Sequence, residues 1–232
     1  MADDRDDDLE AMREAMLETI AIHARLAAPH SGRDRIGEAV LDAMRAVPRH
    51  AFVPFEIQPY AYLDRPLPIG SGKTISQPFI VALMTDLLEV SPEHTVLEIG
   101  TGLGYQSAVL ARLAARVFTV EFIDELAEEA ARRLAEQGIE NVEMRLGDGA
   151  RGWPEHAPFD RIMVTAAPDL VPPALLAQLK PGGRMVVPAG IPDDQKLLVV
   201  TKDASGRIAM QEIMAVRFSE LESEDDDVAR LE

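Results

Sequence analysis

Three glycines at alternating positions, Gly100, Gly102 and Gly104, separate a short apolar run from a helix-like one. The stretch reads Thr95-Val96-Leu97-Glu98-Ile99-Gly100-Thr101-Gly102-Leu103-Gly104-Tyr105-Gln106 and continues Ser107-Ala108-Val109-Leu110-Ala111. Strand, glycine turn and helix together bring a backbone close to a polar or anionic ligand at a helix N-terminus. Glycine is needed there because a side chain would strike the ligand or forbid the positive φ of the turn. A tight βα turn without a ligand is the plainer reading of the triad taken alone.

Residues around the triad narrow the chemistry. A dinucleotide fingerprint spaces its glycines G-x-G-x-x-G, whereas this chain has G-x-G-x-G, with Tyr105 where the last glycine would stand. Glu98 precedes the first glycine and would repel a phosphate. It suits a positively charged ligand, such as the amino group and sulfonium of S-adenosylmethionine. Glu121 ends the next β-rich run, 21 residues after Gly100, where a carboxylate can accept both hydroxyls of a ribose. Asp148-Gly149 follows the third run and can accept from an adenine amino group, since ligands of open α/β sheets lie beyond the carboxyl ends of the strands. Together these residues stand at the ends of successive strands, a pattern that a bare turn does not require.

The elements that must position them alternate from residue 95 onward. Strands are expected over 95–99, 117–121, 142–146, 161–165 and 184–187, with helices over 105–114, 124–137 and 173–179. That alternation predicts right-handed βαβ units and a parallel sheet. Two further runs, 196–201 and 207–216, lack a helix between them, and Asp203-Ala204-Ser205-Gly206 reads as a hairpin turn. Upstream, Leu9, Met12, Met16, Leu17, Ile20 and Ile22 fall roughly on one helical face over 9–27, and a second helix over 34–46 ends at Pro48. Residues 48–78 are rich in Pro, Gly and Tyr with little periodicity, a kind of stretch that is often functional inside a compact domain. It closes in Thr74-Ile75-Ser76-Gln77-Pro78 before an apolar helix over 79–88; Ser76 or Gln77 is the natural N-cap, with Pro78 in the first turn.

Composition bounds the function. At 232 residues and 47% hydrophobic content the chain can bury a substantial α/β core. There is no cysteine, which removes disulfides, thiolate metal sites and cysteine nucleophiles together. The five histidines are scattered without metal-ligand spacing. No apolar run of about 18 residues exists to span a membrane, and the acidic N-terminus lacks the form of a signal peptide. A cytoplasmic, metal-free monomer is expected. Residues 1–10 hold six acids and one arginine, and residues 219–232 hold seven acids and one arginine, so most of the net charge of −17 sits at the ends. A body this acidic is a poor match to a phosphate backbone. Only four lysines accompany nineteen arginines, a bias open to genome composition or a salty cytoplasm.

Residues 96–106 resemble motif I of the S-adenosylmethionine-dependent methyltransferases. With Arg49-His50-Ala51-Phe52-Val53-Pro54, Tyr62-Leu63-Asp64, Pro68-Ile69-Gly70, Thr74-Ile75-Ser76-Gln77-Pro78, Gly147-Asp148-Gly149 and Leu179-Lys180-Pro181-Gly182-Gly183, residues 9–218 resemble more narrowly the protein-L-isoaspartate (D-aspartate) O-methyltransferases. The Thr74 to Pro78 segment is the most specific part. The resemblance implies an α/β, Rossmann-like methyltransferase fold: a mostly parallel twisted sheet, helices on both faces and a C-terminal antiparallel hairpin. It divides the chain into an acidic lead (1–8), a helical and substrate-site segment (9–90), a cofactor-binding core (91–218) and an acidic tail (219–232).

The implied reaction is methyl transfer from S-adenosylmethionine to the free α-carboxylate of isoaspartyl residues in damaged peptides and proteins. The ester then closes to a succinimide that hydrolyses partly to aspartate. A carboxylate is ionised at neutral pH, with a pKa of about 4, so no general base is needed. By the same resemblance Ser76 is the active-site residue and hydrogen-bonds the substrate carboxylate, helped by free amides at the start of the next helix. The implied cofactor set is Thr74, Ile75, Ser76, Gln77, Glu98, Gly100, Gly102, Gly104, Gln106, Ser107, Glu121, Phe122, Asp148, Gly149 and Thr165. One departure stands out: the family commonly ends its last strand in Phe/Tyr-Val-Pro-Leu, and this chain reads Phe218-Ser219-Glu220-Leu221. Two alternatives stay open, a methyltransferase of another carboxylate or small molecule, and a degenerate homologue that binds cofactor or a partner without turnover. Nucleic-acid methylation is disfavoured, with no cysteine nucleophile, no Asn/Asp-Pro-Pro-Tyr/Phe motif and no basic face. Trp153 and Arg151-Gly152 read as packing and surface.

Overall fold

The computed structural model describes residues 2–224. Three helices precede the main sheet: α1 (Ala2–Ser31), α2 (Glu38–Ala46) and α3 (Pro78–Leu88). The acidic lead is therefore no separate segment, since its described residues are the opening turns of α1. Helix α2 starts later than expected because Gly37 caps it, its amide donating to Asp86 Oδ1 at 2.9 Å. Strands β3 (Thr95–Ile99), β4 (Arg116–Glu121), β5 (Val142–Leu146), β6 (Phe159–Val164), β7 (Leu179–Ala189), β8 (Gln195–Lys202) and β9 (Ile208–Val216) form one sheet in the order β5-β4-β3-β6-β7-β8-β9. Helices α4 (Tyr105–Ala111), α5 (Asp124–Glu136) and α6 (Pro173–Gln178) fill the crossovers.

Pairing is parallel from β5 to β7 and antiparallel from β7 through β9. The expected turn at 203–206 joins β8 to β9, with Asp203 Oδ1 accepting from the amides of Ser205 and Arg207. Strand β7 is much longer than the expected 184–187 and takes in the Lys-Pro-Gly-Gly segment. From β3 the chain moves outward to β4 and β5, then returns to the opposite side of β3 as β6. That reversal is a switch point, where an open α/β sheet leaves a crevice at its strand ends.

Alternation along the strands makes two cores, one on each face. Val96, Val117, Met163 and Val186 face α1 to α5, in a cluster with Met16, Ile20, Leu83, Leu110 and Leu134. Leu97, Ile99, Phe118, Ile162 and Met185 face the other way, against Leu175 and Trp153. The packing role read for Trp153 is met by its edge contact with Phe118, ring centroids 5.4 Å apart. Strands buried on both faces read as near-continuous apolar runs, as these do.

The aperiodic segment 48–78 has structure of its own. Two 3-10 turns, Arg49–Phe52 and Phe55–Tyr60, lead to a hairpin of β1 (Leu67–Gly70) and β2 (Lys73–Ile75). Strands this short are too brief for alternation to register. Their turn carries three consecutive positive φ angles, 102° at Gly70, 48° at Ser71 and 68° at Gly72.

Candidate active site

The glycine turn lies at the switch point. Gly100 has φ 91°, and a Cβ there would stand 2.5 Å from Thr165 Oγ1. That hydroxyl, just past β6, lies 2.9 Å from Ile99 O and 2.6 Å from Gly100 O. At Gly102 a Cβ would come within 3.3 Å of Ile69 Cδ1 and occupy space that the two residues line jointly. The third glycine differs: a Cβ at Gly104 would meet Leu134 of α5, so its smallness serves helix packing.

Glu121, at the end of β4, folds back onto this turn. Its Oε2 accepts from Gly102 N at 2.8 Å, and its Oε1 accepts from Phe122 N and Ile123 N at 3.0 Å each. The lone pairs not engaged by these amides are available to a diol.

Three adjoining cavities surround the turn. The first, about 570 Å³, is lined by Gly100, Gly102, Glu121, Phe122, Gly149 and Thr165, with Ile69 and Thr74 from the hairpin. The second, about 380 Å³, lies between Ser76, Ile75, Gly102, Tyr105 and Gln106. The third is a cleft of about 1280 Å³ lined by His23, Ser76, Gln77, Phe79, Met214 and Phe218. Thr74 and Thr165 line all three, and Ser76 lines the second and third. The first two cavities fit S-adenosylmethionine: acceptors at Glu121 for ribose hydroxyls, apolar Ile99, Val120 and Leu126 beside them for a base, and glycine backbone where a Cβ would intrude.

Ser76 is half-buried, and its hydroxyl makes no hydrogen bond among the described residues. Its carbonyl is held by Arg49 Nη2 at 2.7 Å. The N-cap of α3 is Gln77, without a side-chain cap bond; its Nε2 instead donates to Asp64 Oδ2 at 2.9 Å. Ser76 is thereby free of capping duty. Of the expected free amides of α3, Pro78 has none and Phe79 N donates to Asp64 Oδ1 at 2.7 Å, which leaves that of Ile80 among the described residues. Asp64 Oδ2 also pairs with His23 Nδ1 from α1, a short contact that anchors the first helix to the cleft wall.

Several residues of the expected cofactor set do not reach these cavities. Glu98 is fully buried on the α4 face of β3, because it alternates with Leu97 and shares the direction of Val96. Its Oε2 accepts from Ser107 Oγ and, at 2.8 Å, from Thr119 Oγ1, while Oε1 has no partner among the described residues. Burial pushes its carboxyl up to about 8. Ser107 is consumed in this pair. Asp148 is also buried, its Oδ1 accepting from Ala150 N at 2.8 Å and its Oδ2 from Glu224 N at 3.3 Å; Gly149 beside it lines the first cavity.

A strap over the first cavity was missed in the sequence, where residues 219–232 read as an acidic tail. Residues 219–222 line the first cavity. Ala167 N donates to Ser219 O at 2.8 Å and Leu221 N to Ala167 O at 2.9 Å. Lys73 Nζ pairs with Glu222 at 2.6 Å, and Arg151 Nη2 with Glu224 at 2.9 Å. Buried Gln195 clamps Phe218, accepting from its amide at 2.7 Å. The two strap bonds skip the amide of Glu220, so the family's proline and this glutamate serve the backbone equally. Leu221 beside the acids was the available signal. Residues 225–232 of the expected tail lie outside the described residues.

Comparison with known proteins agrees with this geometry. The family model for protein-L-isoaspartate(D-aspartate) O-methyltransferase matches residues 31–226. A Polaromonas sp. protein named protein-L-isoaspartate O-methyltransferase 1 is 55% identical over 93% of this chain and 91% of its own length. One from Syntrophobacter fumaroxidans, protein-L-isoaspartate O-methyltransferase 2, is 52% identical over 92% and 87%. Among solved structures, a protein-L-isoaspartate O-methyltransferase superposes with TM-score 0.78 at 29% identity, covering 91% of this chain and 66% of that one. A Plasmodium falciparum structure in complex with S-adenosyl-L-homocysteine shares the fold, with TM-score 0.77 at 22% identity over 91% of this chain and 99% of its own. With the match running through the hairpin, the glycine turn and the strap, this chain belongs to the protein-L-isoaspartate (D-aspartate) O-methyltransferase family, whose methyl donor is S-adenosylmethionine.

Proposed function

We propose that this chain methylates the free α-carboxylate of isoaspartyl residues in peptides and proteins, with Ser76 receiving the carboxylate. When bound, S-adenosylmethionine supplies a methyl group on a sulfonium and leaves as the neutral thioether. Glu121 holds the ribose side, Gly100 and Gly102 admit the ligand to the backbone, and Thr74, Ile75 and Gln106 border its methionine end. The substrate carboxylate is already an anion at neutral pH, so the chain's own task is orientation. Ser76 Oγ donates to one carboxylate oxygen, and the other attacks. No proton moves.

The observation that carries this reading is the junction. Ser76, Thr74 and Thr165 are shared by the donor cavities and the cleft, so an anion at Ser76 meets a methyl presented from the other side. The strap supports cofactor binding despite the altered 218–221 edge, because residues 219–222 still line the donor cavity. Incubation with labelled S-adenosylmethionine and matched isoaspartyl and aspartyl peptides tests the proposal. Label on the isoaspartyl peptide alone is expected, and label on neither defeats it. The same reading takes the enzyme as a cytoplasmic monomer, and sedimentation at the mass of one protomer checks the second part.

A further inference from the structure

A guanidinium stands behind Ser76 with no carboxylate to neutralise it. Arg49 has no solvent exposure. Its Nε donates to Ala61 O at 2.8 Å and its Nη2 to Ser76 O at 2.7 Å, which ties together the two ends of the segment presenting Ser76. Its carbon lies 4.9 Å from the centroid of Tyr105, a residue that lines the second cavity. Nη1 and the Tyr105 hydroxyl are both buried, and neither completes a hydrogen bond of normal geometry. Asp64 is the carboxylate whose charge Arg49 feels most, yet it is committed to His23, Gln77 and Phe79 N. Burial draws Arg49 down to about 10, which leaves it protonated at neutral pH.

Burying an unpaired charge is costly, and a neutral donor could tie two carbonyls. The positive charge becomes useful when a ligand brings the missing anion. The substrate read above presents a free α-carboxylate beside its chain, while the protein bears a net charge of −17 that opposes its approach. A cation kept dry beneath the site acts at short range in a low dielectric, where the acidic exterior screens it least.

We propose that Arg49 is a positioning and selecting residue: its unneutralised guanidinium holds Ser76 and draws the substrate's ionised α-carboxylate to it. The inference rests on the isoaspartyl reading, which labelling of the wild-type enzyme tests separately. Calorimetry with S-adenosylhomocysteine present compares an isoaspartyl peptide with the same peptide carrying an α-carboxamide. Wild type is expected to favour the carboxylate by about tenfold. Arg49→Met is expected to bring that ratio to within about twofold of unity, and Arg49→Lys to restore most of it despite a lower Tm. A purely structural clamp would weaken both peptides alike, so a ratio retained in Arg49→Met overturns the proposal. If Arg49→Met does not fold, Arg49→Gln gives the same comparison, and a ratio retained there, or a wild-type ratio below about twofold, overturns the proposal.

Discussion

The proposed donor pocket and the proposed substrate cleft share Ser76, Thr74 and Thr165 but are built on different principles. The donor pocket is assembled mostly from the carboxyl ends of neighbouring parallel strands, and backbone amides set much of its shape. Glu121 is held by three amides, and Gly100 is wedged beneath a threonine hydroxyl. The cleft is assembled from distant parts of the chain, with His23 on α1, Phe79 on α3, Met214 on β9 and Phe218 just past it. Its walls are side chains, joined by Asp64 and Gln195. A pocket made of topology tolerates little change in backbone, whereas a cleft made of side chains can alter its preference without loss of fold.

The hardest test of that contrast is Gly100→Ala. A Cβ 2.5 Å from Thr165 Oγ1 at φ 91° cannot be accommodated locally. We expect a loss of about 2–4 kcal/mol of stability and no measurable S-adenosylhomocysteine binding by calorimetry. Near-normal binding would show that the turn is more pliant than its geometry implies.

Ser76→Ala comes next, on the cleft side of the junction. Turnover should fall by about 10- to 100-fold, with S-adenosylhomocysteine affinity within about twofold of wild type. Equal losses in both would move Ser76 to the donor side.

Glu121→Ala should do the reverse and weaken S-adenosylhomocysteine by about 10-fold or more. It should also lower Tm, because the amides of Gly102, Phe122 and Ile123 lose their acceptor. An unchanged dissociation constant would remove Glu121 from ribose binding.

A smaller, pH-dependent effect belongs to Glu98. Burial raises its folded-state pKa to about 8, above the ordinary carboxyl value. A raised folded pKa gives a contribution that is complete below the unfolded pKa and is lost as pH rises through the folded one. Wild-type stability should therefore decline between about pH 5 and 9, and Glu98→Gln should flatten that decline in urea unfolding. An equally steep profile in the variant would show that another group is responsible.

The smallest expected effect is on the strap. Lys73→Ala removes a partly exposed ion pair with Glu222, worth about 0.2–1 kcal/mol. The S-adenosylhomocysteine off-rate should rise by about two- to threefold at low salt and converge with wild type at high salt. A salt-independent change would point to packing instead of charge.

Much of the donor side was legible in the residues. Strands β3 and β5 start and stop at the expected positions, since apolar runs, turn glycines and helical periods are local signals. Glu121, Gly100, Gly102 and Thr165, all of the expected set, line one cavity at the switch point. Two residues of the expected set stand back from the cavities for one reason. Glu98 and Asp148 were read from their place at a strand end, but which face a side chain takes and whether a nearby amide occupies it are set by packing. The hairpin at 67–75 escaped because strands of three or four residues show no period.

By itself the sequence determined the order of strands and helices from residue 95 onward, the glycine turn at the switch point and the family, because these rest on near-neighbour patterns and on motifs whose spacing constrains the backbone. Only the tertiary structure decided that residues 219–222 cap the cavity at the glycine turn, that Asp64 joins α1 to α3, and that a buried arginine stands behind Ser76. These contacts join residues far apart along the chain. Their formation depends on the shape of the whole folded chain, which no local run of residues encodes.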